Sequence, residues 1–415
     1  MNFNEYENKS VLVLGKTRSL TLSEFEALLK LHKITLSSDT LENASLLVEG
    51  RMMNPYEQSL GEQWYQEKRG DIVSIDAVEE WLCGSIDANR LLMSLKLSKD
   101  QERLVTFIQN PYISEELFFK LLKLYDWQKE GLFDNDRNRD VTAAIIGRFY
   151  KDLNRNHNVQ YAMSGLAHLI ERYGTAELIG AIGDLTPISR ALQGESERSM
   201  ELILDSMALH PLTPERILQR MVKGRPLLLA RRNPPALEND LLSLKDDRVN
   251  QTLARNPALS PAGIEYLRND YGKLLAGSIV LNREYFEEWK DCYAESLAQN
   301  KTLQVWMQEA LLSIDDQKVN TILASNPTAN QEILEALKKN GGYGSALASN
   351  PSLVAEDLEF LYQIADAPVL EALASNPSTP VEILYQLALD KRFESKVKAN
   401  PGYGQHIQTH NIGWL

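Results

Sequence analysis

Apolar residues recur at helical spacing along the carboxy-terminal half of the chain, at a fixed distance from an asparagine. Ile264 stands eight positions after Asn256, and Leu267 follows three positions later. The same pair recurs in the other copies as Leu218/Met221, Leu241/Leu244, Leu334/Leu337, Leu358/Leu361 and Leu384/Leu387. A step of three residues places both side chains on one face of a helix. The pattern therefore predicts a series of short helices, each with one buried face.

The asparagine belongs to a recurring phrase, Leu-Ala-x-Asn-Pro. It occurs at Leu253–Pro257, Leu323–Pro327, Leu347–Pro351 and Leu373–Pro377, with looser copies ending at Pro211, Pro234 and Pro401 and an isolated early copy at Asn110-Pro111. Between these copies, Asn282 and Asn300 lack the proline and form an irregular pair. Repetition with a period of 20 to 50 residues is typical of stacked arrays, in which each unit buries its apolar face against its neighbours.

Chain chemistry explains why Asn-Pro should form a corner. Proline disfavours the helical conformation of the residue before it, so one helix is expected to end at the asparagine. The asparagine can hydrogen-bond its own backbone in such a turn. Start signals then predict the next helix, at Thr213-Pro214, Ser260-Pro261 and the capping box Thr379-Pro380-Val381-Glu382. Each repeat is thus predicted to contain two helices joined by a tight corner.

The phrase, its spacing and the downstream leucines resemble the leucine-rich repeat variant proteins, which are bacterial α-solenoids. The resemblance covers about residues 201–410. It implies a right-handed superhelix of alternating α- and 3₁₀-helices without strands. A described member of that family carries an iron–sulphur module of clustered cysteines before its repeats. This chain has two distant cysteines, Cys83 and Cys292, so no cofactor is expected.

The first 86 residues have a different pattern. Short apolar runs predict strands at Val11–Gly15, Ile34–Leu36, Ser45–Val48 and Asp71–Ile75. After the first run, Thr21–Leu31 has one apolar face and begins with the capping box Thr21-x-x-Glu24, which predicts a helix. A last helix is predicted through Trp81-Leu82. The order β-α-β-β-(α)-β-α predicts a small, mostly parallel sheet flanked by helices.

This order, with Val-Leu-Gly in the first strand and Ile-Val-Ser-Ile-Asp-x-x-x-x-Trp at the end, resembles a BRCT domain over residues 8–86. The resemblance implies a protein-interaction module of DNA repair and replication, and some BRCT domains bind phosphopeptides or phosphorylated DNA ends. Family members commonly hold phosphate with a Ser or Thr after the first strand and a Lys in the second helix. The corresponding candidates are Thr17, flanked by Lys16 and Arg18, and Lys68. The family's glycine pair before the second strand is absent here, and 8 basic against 14 acidic residues in the first 86 residues disfavour phosphate binding.

Residues 87–200 continue with helical patterns and connect the two parts. We interpret them as irregular helical pairs leading into the repeats, with a separate helical domain as the alternative. The predicted fold class is therefore an α+β multidomain protein. It consists of a BRCT-like domain at residues 1–86, helical pairs at 87–200 and an α-solenoid at 201–415.

Composition limits the setting in which this protein works. With 43% hydrophobic and 24% charged residues, the 415-residue chain has the composition of an ordinary folded protein. No apolar stretch approaches membrane-spanning length, and the amino terminus lacks a signal-peptide pattern. We therefore expect a protein that does not bind membranes. Two lone cysteines fit a reducing compartment, so we expect this protein to be cytoplasmic. The net charge of −13 disfavours indiscriminate nucleic-acid binding.

No motif predicts catalysis or a metal site. The six histidines have no metal-ligand spacing with cysteine and no His-x-x-x-His pair with a catalytic glutamate. Asp134–Asp140 lacks the glycine and final glutamate of a calcium loop. Gly15-Lys16-Thr17 lacks the upstream glycine of a phosphate-binding loop. We therefore expect a protein that is not an enzyme and holds no metal.

One basic segment stands out in this acidic chain. From residue 216 to residue 237 there are no acidic residues and six basic ones, Arg216, Arg220, Lys223, Arg225, Arg231 and Arg232. Such a patch indicates a contact for phosphate or for an acidic partner. The alternative is a solvated repeat edge whose arginine stems pack over leucines.

These observations predict a non-enzymatic scaffold that binds protein partners through the solenoid surface and the BRCT-like head. The resemblance to BRCT domains implies DNA repair or replication. The alternative is nucleic-acid binding through the basic patch, as in helical-repeat DNA alkylation-repair proteins. Within the repeats, the irregular stretch Leu281–Trp306 is where the pattern predicts a kink or a binding pocket. The pattern leaves the oligomeric state open.

Overall fold

The computed structural model describes residues 3–37, 41–128, 130–150, 164–193 and 200–410. The chain divides into two compact units, Met1–Arg225 and Pro226–Leu415. Most described residues are helical, and the described strands lie near the amino terminus. This confirms the predicted α+β composition in its broad outline. Among the described residues, no helix is long and apolar enough to span a membrane.

The described strands form one parallel sheet with the order β2-β1-β3-β4. They are β1 Ser10–Leu14, β2 Thr35–Leu36, β3 Leu46–Glu49 and β4 Asp71–Ser74. Strand β1 pairs with β3, with Leu14 opposite Glu49, and β3 pairs with β4, with Glu49 opposite Ser74. Each strand lies within one residue of its predicted limits, because short apolar runs bounded by polar residues specify buried strands.

The sheet is flanked by the helices Leu22–Leu31, Pro55–Gln66 and Ile75–Cys83. The capping box predicted for the first helix is formed. The Glu24 N–H donates to Thr21 Oγ1 at 3.3 Å, and the Thr21 N–H donates to Glu24 Oε2 at 3.0 Å. The Trp64 ring is fully buried on the sheet, and its Nε1 donates to Gly70 O at 3.1 Å. The indole therefore contributes its apolar area to the core without an unpaired donor.

The first unit continues beyond the sheet as a succession of helices. They span Ala88–Ser98, Gln101–Gln109, Glu115–Leu122, Asp136–Phe149, Gly165–Tyr173, Ala176–Gly183, Thr186–Leu192, Glu201–Leu209 and Glu215–Met221. Helix Gln101–Gln109 packs against Asp136–Phe149, and Gly165–Tyr173 packs against Glu201–Leu209.

In the second unit, helices that precede a corner alternate with helices that follow one, except that helix Pro261–Ala276 joins a post-corner and a pre-corner segment across an interruption at Tyr271. The pre-corner helices are Pro226–Arg232, Asp247–Ala254, Ala294–Gln299, Gln317–Ser325, Gly344–Ser349, Ala367–Ser375 and Glu394–Ala399. The post-corner helices are Glu238–Ser243, Pro261–Ala276, Arg283–Trp289, Val305–Leu312, Gln331–Asn340, Ala355–Gln363, Val381–Ala388 and Pro401–Thr409. Successive pre-corner helices from Ala294 onwards pack against one another.

Corner asparagines join one module to the next. Asn350 is fully buried, and its Nδ2 donates to Ala324 O and to Asn326 O, both at 2.8 Å. Its Oδ1 accepts from the Ser352 N–H at 2.8 Å, as the predicted turn requires. The same geometry recurs at Asn326, Asn376 and Asn400. The two accepting carbonyls lie at the end of the pre-corner helix of the previous module, where they have no partner within that helix. The carboxamides therefore serve the fold and do not face a ligand.

Asn282 is not a corner, contrary to its place in the predicted series. It is exposed, and its side chain accepts from the Tyr285 N–H at 2.8 Å, which caps helix Arg283–Trp289. A short polar side chain at this position satisfies one of the unpaired donors at a helix start. The irregular spacing between Asn282 and Asn300 therefore arises because Asn282 caps a helix and does not form a corner.

The corner of that module lies at Ser278, directly after Leu275-Ala276-Gly277. Asn300 reaches back to this module, since its Nδ2 donates to Ala276 O at 2.8 Å and to Ile279 O at 2.9 Å. The steps from Asn256 to Ser278 and from Ser278 to Asn300 are then 22 residues each. In the sequence, the pair Leu275-Ala276 indicates this corner, because it matches the Leu-Ala of the recurring phrase although Ser278 stands where the other copies have asparagine.

The capping box predicted at Thr379 is not formed. Its Oγ1 instead donates to Leu373 O at 2.7 Å, and helix Val381–Ala388 begins without a side-chain cap. Thr213 is turned in the same way and donates to Met207 O at 2.6 Å. Because both hydroxyls point back to the helix before the corner, they stabilise the corner and not the next helix.

Candidate partner-binding surfaces

The loop after β1 contains three of the four predicted phosphate-binding residues, Lys16, Thr17 and Arg18. It begins at Gly15, whose φ of +82° lies in the left-handed region that favours glycine. Backbone N–H groups in such loops can bind anions. Here they bind acceptors of the protein, because the Gly15 N–H donates to Glu57 Oε1 at 3.0 Å and the Lys16 N–H to Arg51 O at 2.7 Å.

Glu79 occupies the next part of the same loop. Its side chain is fully buried, and it accepts from the Arg18 N–H at 2.6 Å and from the Ser19 N–H at 2.9 Å. Burial raises the pKa of the Glu79 carboxyl, and these backbone hydrogen bonds oppose that rise. A carboxyl group of the protein therefore lies where the resemblance to BRCT domains implies a bound phosphate.

The side chains of this loop are also partly used within the fold. Arg18 Nη1 donates to Asp76 Oδ1 at 3.2 Å and to Tyr112 Oη at 3.0 Å. Arg51 Nη2 lies 3.7 Å from Asp76 Oδ2. Thr17 is half-buried, and Lys16 is exposed. Asp76 thus offsets the charge of Arg18, and Lys16 keeps its ammonium group in solvent.

Lys68 lies at the other end of the sheet from Thr17. It is exposed and sits between helix Pro55–Gln66 and β4, with a φ of 48°. Since β1 and β4 run parallel, a residue after the end of β1 and a residue before the start of β4 lie at opposite ends of the strands. Strands of four or five residues separate these two ends by roughly 15 Å. The structure therefore does not bring Lys68 beside Thr17.

The pH dependence of stability tests the buried position of Glu79. Because burial raises its pKa in the folded protein, protonated Glu79 contributes stability below the ordinary glutamate pKa of about 4.5. This contribution is lost as the pH rises through the folded-state pKa. We therefore expect E79Q, which keeps an acceptor for the loop and removes the charge, to gain stability relative to the native chain between pH 4 and pH 8. Urea denaturation at each pH measures this gain.

E62Q is the control for this prediction, because Glu62 is exposed. The difference in unfolding free energy between E62Q and the native chain should stay flat across the same pH range. A flat difference for E79Q as well would contradict the raised pKa of the buried Glu79 carboxyl.

Three of the four basic residues of this segment that belong to the first unit, all arginines, are paired with distant aspartates. Arg216 Nη1 lies 2.7 Å from Asp184 Oδ1, and Arg220 Nη1 lies 3.5 Å from the same oxygen. The hydrogen bond to Asp184 raises the pKa of Arg216. Arg225 Nε lies 3.1 Å from Asp205 Oδ1. Lys223 is exposed. These aspartates lie 20 to 36 residues earlier in the chain, so the local sequence could not reveal the pairing.

The two remaining basic residues belong to the second unit. Arg231 is exposed, whereas Arg232 is half-buried, and burial lowers its pKa. The boundary between the two units, after Arg225, thus falls inside the segment that the sequence presents as one patch. Much of the predicted positive charge is therefore offset by ion pairs within the chain.

A cleft and a kink lie beside the stretch predicted to be irregular. The cleft encloses about 600 Å³ and is lined by residues that include Lys273, Lys290, Cys292, Tyr293, Ser296 and Asp316. The helix Pro261–Ala276 is interrupted at Tyr271, where φ is −123° and ψ is 17°. Within the described residues, no group of three or more His, Cys, Asp or Glu side chains is placed to hold a metal ion.

Comparison of the chain with models of known protein families, with curated proteins and with solved structures gives no match. The resemblances to leucine-rich repeat variant proteins and to BRCT domains stay predictions from sequence. Function is therefore inferred from the residues and contacts of the chain itself.

Proposed function

We propose that the chain is a non-enzymatic interaction scaffold. Its repeated modules stack into an α-solenoid, with the right-handed superhelix that the resemblance to leucine-rich repeat variant proteins implies. The solenoid presents its surface to a protein partner, and the BRCT-like head at residues 1–86 binds a second one. The resemblance of the head to BRCT domains points to DNA repair or replication.

The repeated contact of the corner asparagines supports this proposal. Asn326, Asn350, Asn376 and Asn400 each bind two carbonyls of the preceding module, so the polar side chains that recur are used inside the fold. Several exposed positions differ from module to module, such as the sixth position of the post-corner helices, where Tyr266, Glu288 and Phe360 stand. A regular interior combined with a varied exterior is the arrangement by which repeat proteins present an extended binding surface.

The pairing of the basic segment favours a protein partner over nucleic acid. Arg216 and Arg220 lie against Asp184, and Arg225 lies against Asp205. Releasing these arginines for phosphate would leave both aspartates without their cations. Electrostatic binding to a phosphate backbone depends on such cations and weakens steeply with salt.

Photo-crosslinking in source-cell lysate tests the proposed function. A photoreactive residue would replace exposed Tyr266 in the full-length chain, and exposed Tyr56 on the head in a second variant. We expect each variant to form discrete protein adducts that survive nuclease treatment. The native chain with no photoreactive residue is the control. Adducts that disappear with nuclease, or no adducts at either position, would contradict the scaffold and favour the nucleic-acid alternative.

A further inference from the structure

Positions 2 to 6 of six post-corner helices carry charge of a single sign. Positions 2 to 6 of the helices that start at 261, 283, 305, 331, 355 and 381 contain eleven Asp or Glu and no Lys or Arg. The exposed members are Glu265, Glu284, Glu287, Glu288, Glu309, Glu332, Glu335, Glu356, Glu359 and Glu382. We call these ten residues the acidic face.

Helix energetics explain part of the acidic face. Glu284, Glu332, Glu356 and Glu382 stand in the first turn, where a negative charge stabilises the helix start. Position 5 lies beyond the first turn, where this stabilisation has faded. Five successive helices nevertheless carry glutamate at position 5, namely Glu265, Glu287, Glu309, Glu335 and Glu359. These five carboxylates need another explanation.

The acidic face also exposes aromatic side chains. Tyr266 is 53% exposed, Phe360 is 44% exposed and Tyr385 is 36% exposed. Each stands at position 5 or 6 of its helix, in line with the glutamates. Aromatic rings beside carboxylates suit a cation, because the ring face attracts the positive charge that the carboxylate also binds.

The chain binds two of its own cations in this manner. Arg268 Nε donates to Glu288 Oε1 at 3.1 Å and Nη1 to Glu265 Oε1 at 3.0 Å, and the guanidinium lies 5.9 Å from the centre of the Tyr285 ring. Lys338 Nζ forms an ion pair with Asp357 and lies 5.3 Å from the centre of the Phe360 ring. Both cations stand at position 8 and bind across to the next post-corner helix.

At two other junctions between neighbouring post-corner helices, the earlier helix has the glutamate at position 5 but no cation at position 8. Position 8 is Leu312 in the helix of Glu309 and Tyr362 in the helix of Glu359. Within the described residues, Glu309, Glu335 and Glu359 form no ion pair with a lysine or arginine. Charge complementarity at these junctions therefore calls for cations from another molecule.

We propose that the acidic face binds a lysine- and arginine-rich segment of a partner protein. Side chains of that segment meet the carboxylates of Glu309, Glu335 and Glu359, and Phe360 and Tyr385 contribute ring faces. This inference rests on the proposed scaffold function and assigns its partner class. Arginine suits these sites because its planar guanidinium pairs with carboxylates and also stacks on aromatic rings.

A peptide titration tests the proposal on the full-length chain. The probe is a fluorescent 16-residue peptide of Arg-Gly-Lys-Gly repeats, and its Glu-Gly counterpart is the negative control. We expect the triple variant E309Q/E335Q/E359Q to raise the Kd by about tenfold, since exposed ion pairs each contribute a few tenths to one kcal/mol. A second variant, F360S/Y385S, should raise the Kd about threefold.

The matched control is E62Q/E80Q/E177Q, which removes three exposed carboxylates from the first unit and changes the net charge equally. It should change the Kd less than twofold. Equal weakening by both triple variants, or no peptide binding at low salt, would overturn the assignment of a basic segment. Nuclease-resistant protein adducts at Tyr266 would still support the scaffold, so the two proposals fail separately.

Discussion

N350D is expected to lower the free energy of unfolding of the second unit by about 3 to 5 kcal/mol. The buried Nδ2 of Asn350 donates to Ala324 O and Asn326 O, both at 2.8 Å. Aspartate keeps the shape and the acceptor for the Ser352 N–H, but it places a carboxylate oxygen against two carbonyl oxygens. Buried acceptors left without a donor each cost about 1 to 3 kcal/mol. Urea denaturation followed by far-UV circular dichroism measures the change.

N269A is the control for this prediction. Asn269 is exposed on the post-corner helix Pro261–Ala276. Its replacement should change the free energy of unfolding by less than about 0.5 kcal/mol, as surface substitutions usually do. An N350D variant as stable as N269A would show that the corner asparagines do not join the modules.

The second large effect is expected at Arg148, which is buried between two segments of the first unit. Its Nη1 donates to Asn110 O, its Nη2 donates to Ile113 O at 2.8 Å, and its guanidinium lies 4.6 Å from the centre of the Phe118 ring. Burial lowers the pKa of Arg148 to about 10. R148M should lower the free energy of unfolding by about 3 kcal/mol, because it leaves two buried carbonyls without a donor. Urea denaturation followed by tryptophan fluorescence measures this loss.

R139M in the same helix is the matched control. Arg139 is partly exposed and pairs with Asp136 one turn away, a contact worth a few tenths of a kcal/mol. R148K should fall between the two variants, because one ammonium group replaces a fork that reaches two carbonyls. Equal stability of R148M and R139M would contradict a structural role for Arg148 at the Asn110-Pro111 corner.

The sequence was sufficient to predict elements whose cause is local. The capping box at Thr21 and the strand Asp71–Ser74 depend on residues that are neighbours in the chain. The apolar pair after a corner is buried, as at Leu334 and Leu337, or at least half-buried, as at Leu244, because its spacing alone defines a helix face. Proline likewise acts on the residue directly before it. These predictions therefore needed no knowledge of the tertiary structure.

The remaining features depend on contacts between residues that are far apart in the chain. Asn326 and Asn350 are 24 residues apart, and sequence gave no sign that one side chain donates to the backbone of the other. The pairing of Arg216 with Asp184 changes the meaning of the basic patch. Glu79 fills the loop after β1 from a helix 60 residues further on. Only the folded chain shows which charges meet, so the candidate sites were less predictable than the helices.

Hydrogen exchange of the full-length chain, comparing the native protein with N350D, tests most directly whether each module depends on its neighbour through the corner asparagine. Faster exchange is expected first in Gln317–Ser325 and Gly344–Ser349, the helices that Asn350 joins. The effect should fade in more distant modules and be absent from the sheet of the first unit, as nearest-neighbour stacking requires. Unchanged exchange in those two helices, or an equal increase throughout the second unit, would contradict the stacked arrangement.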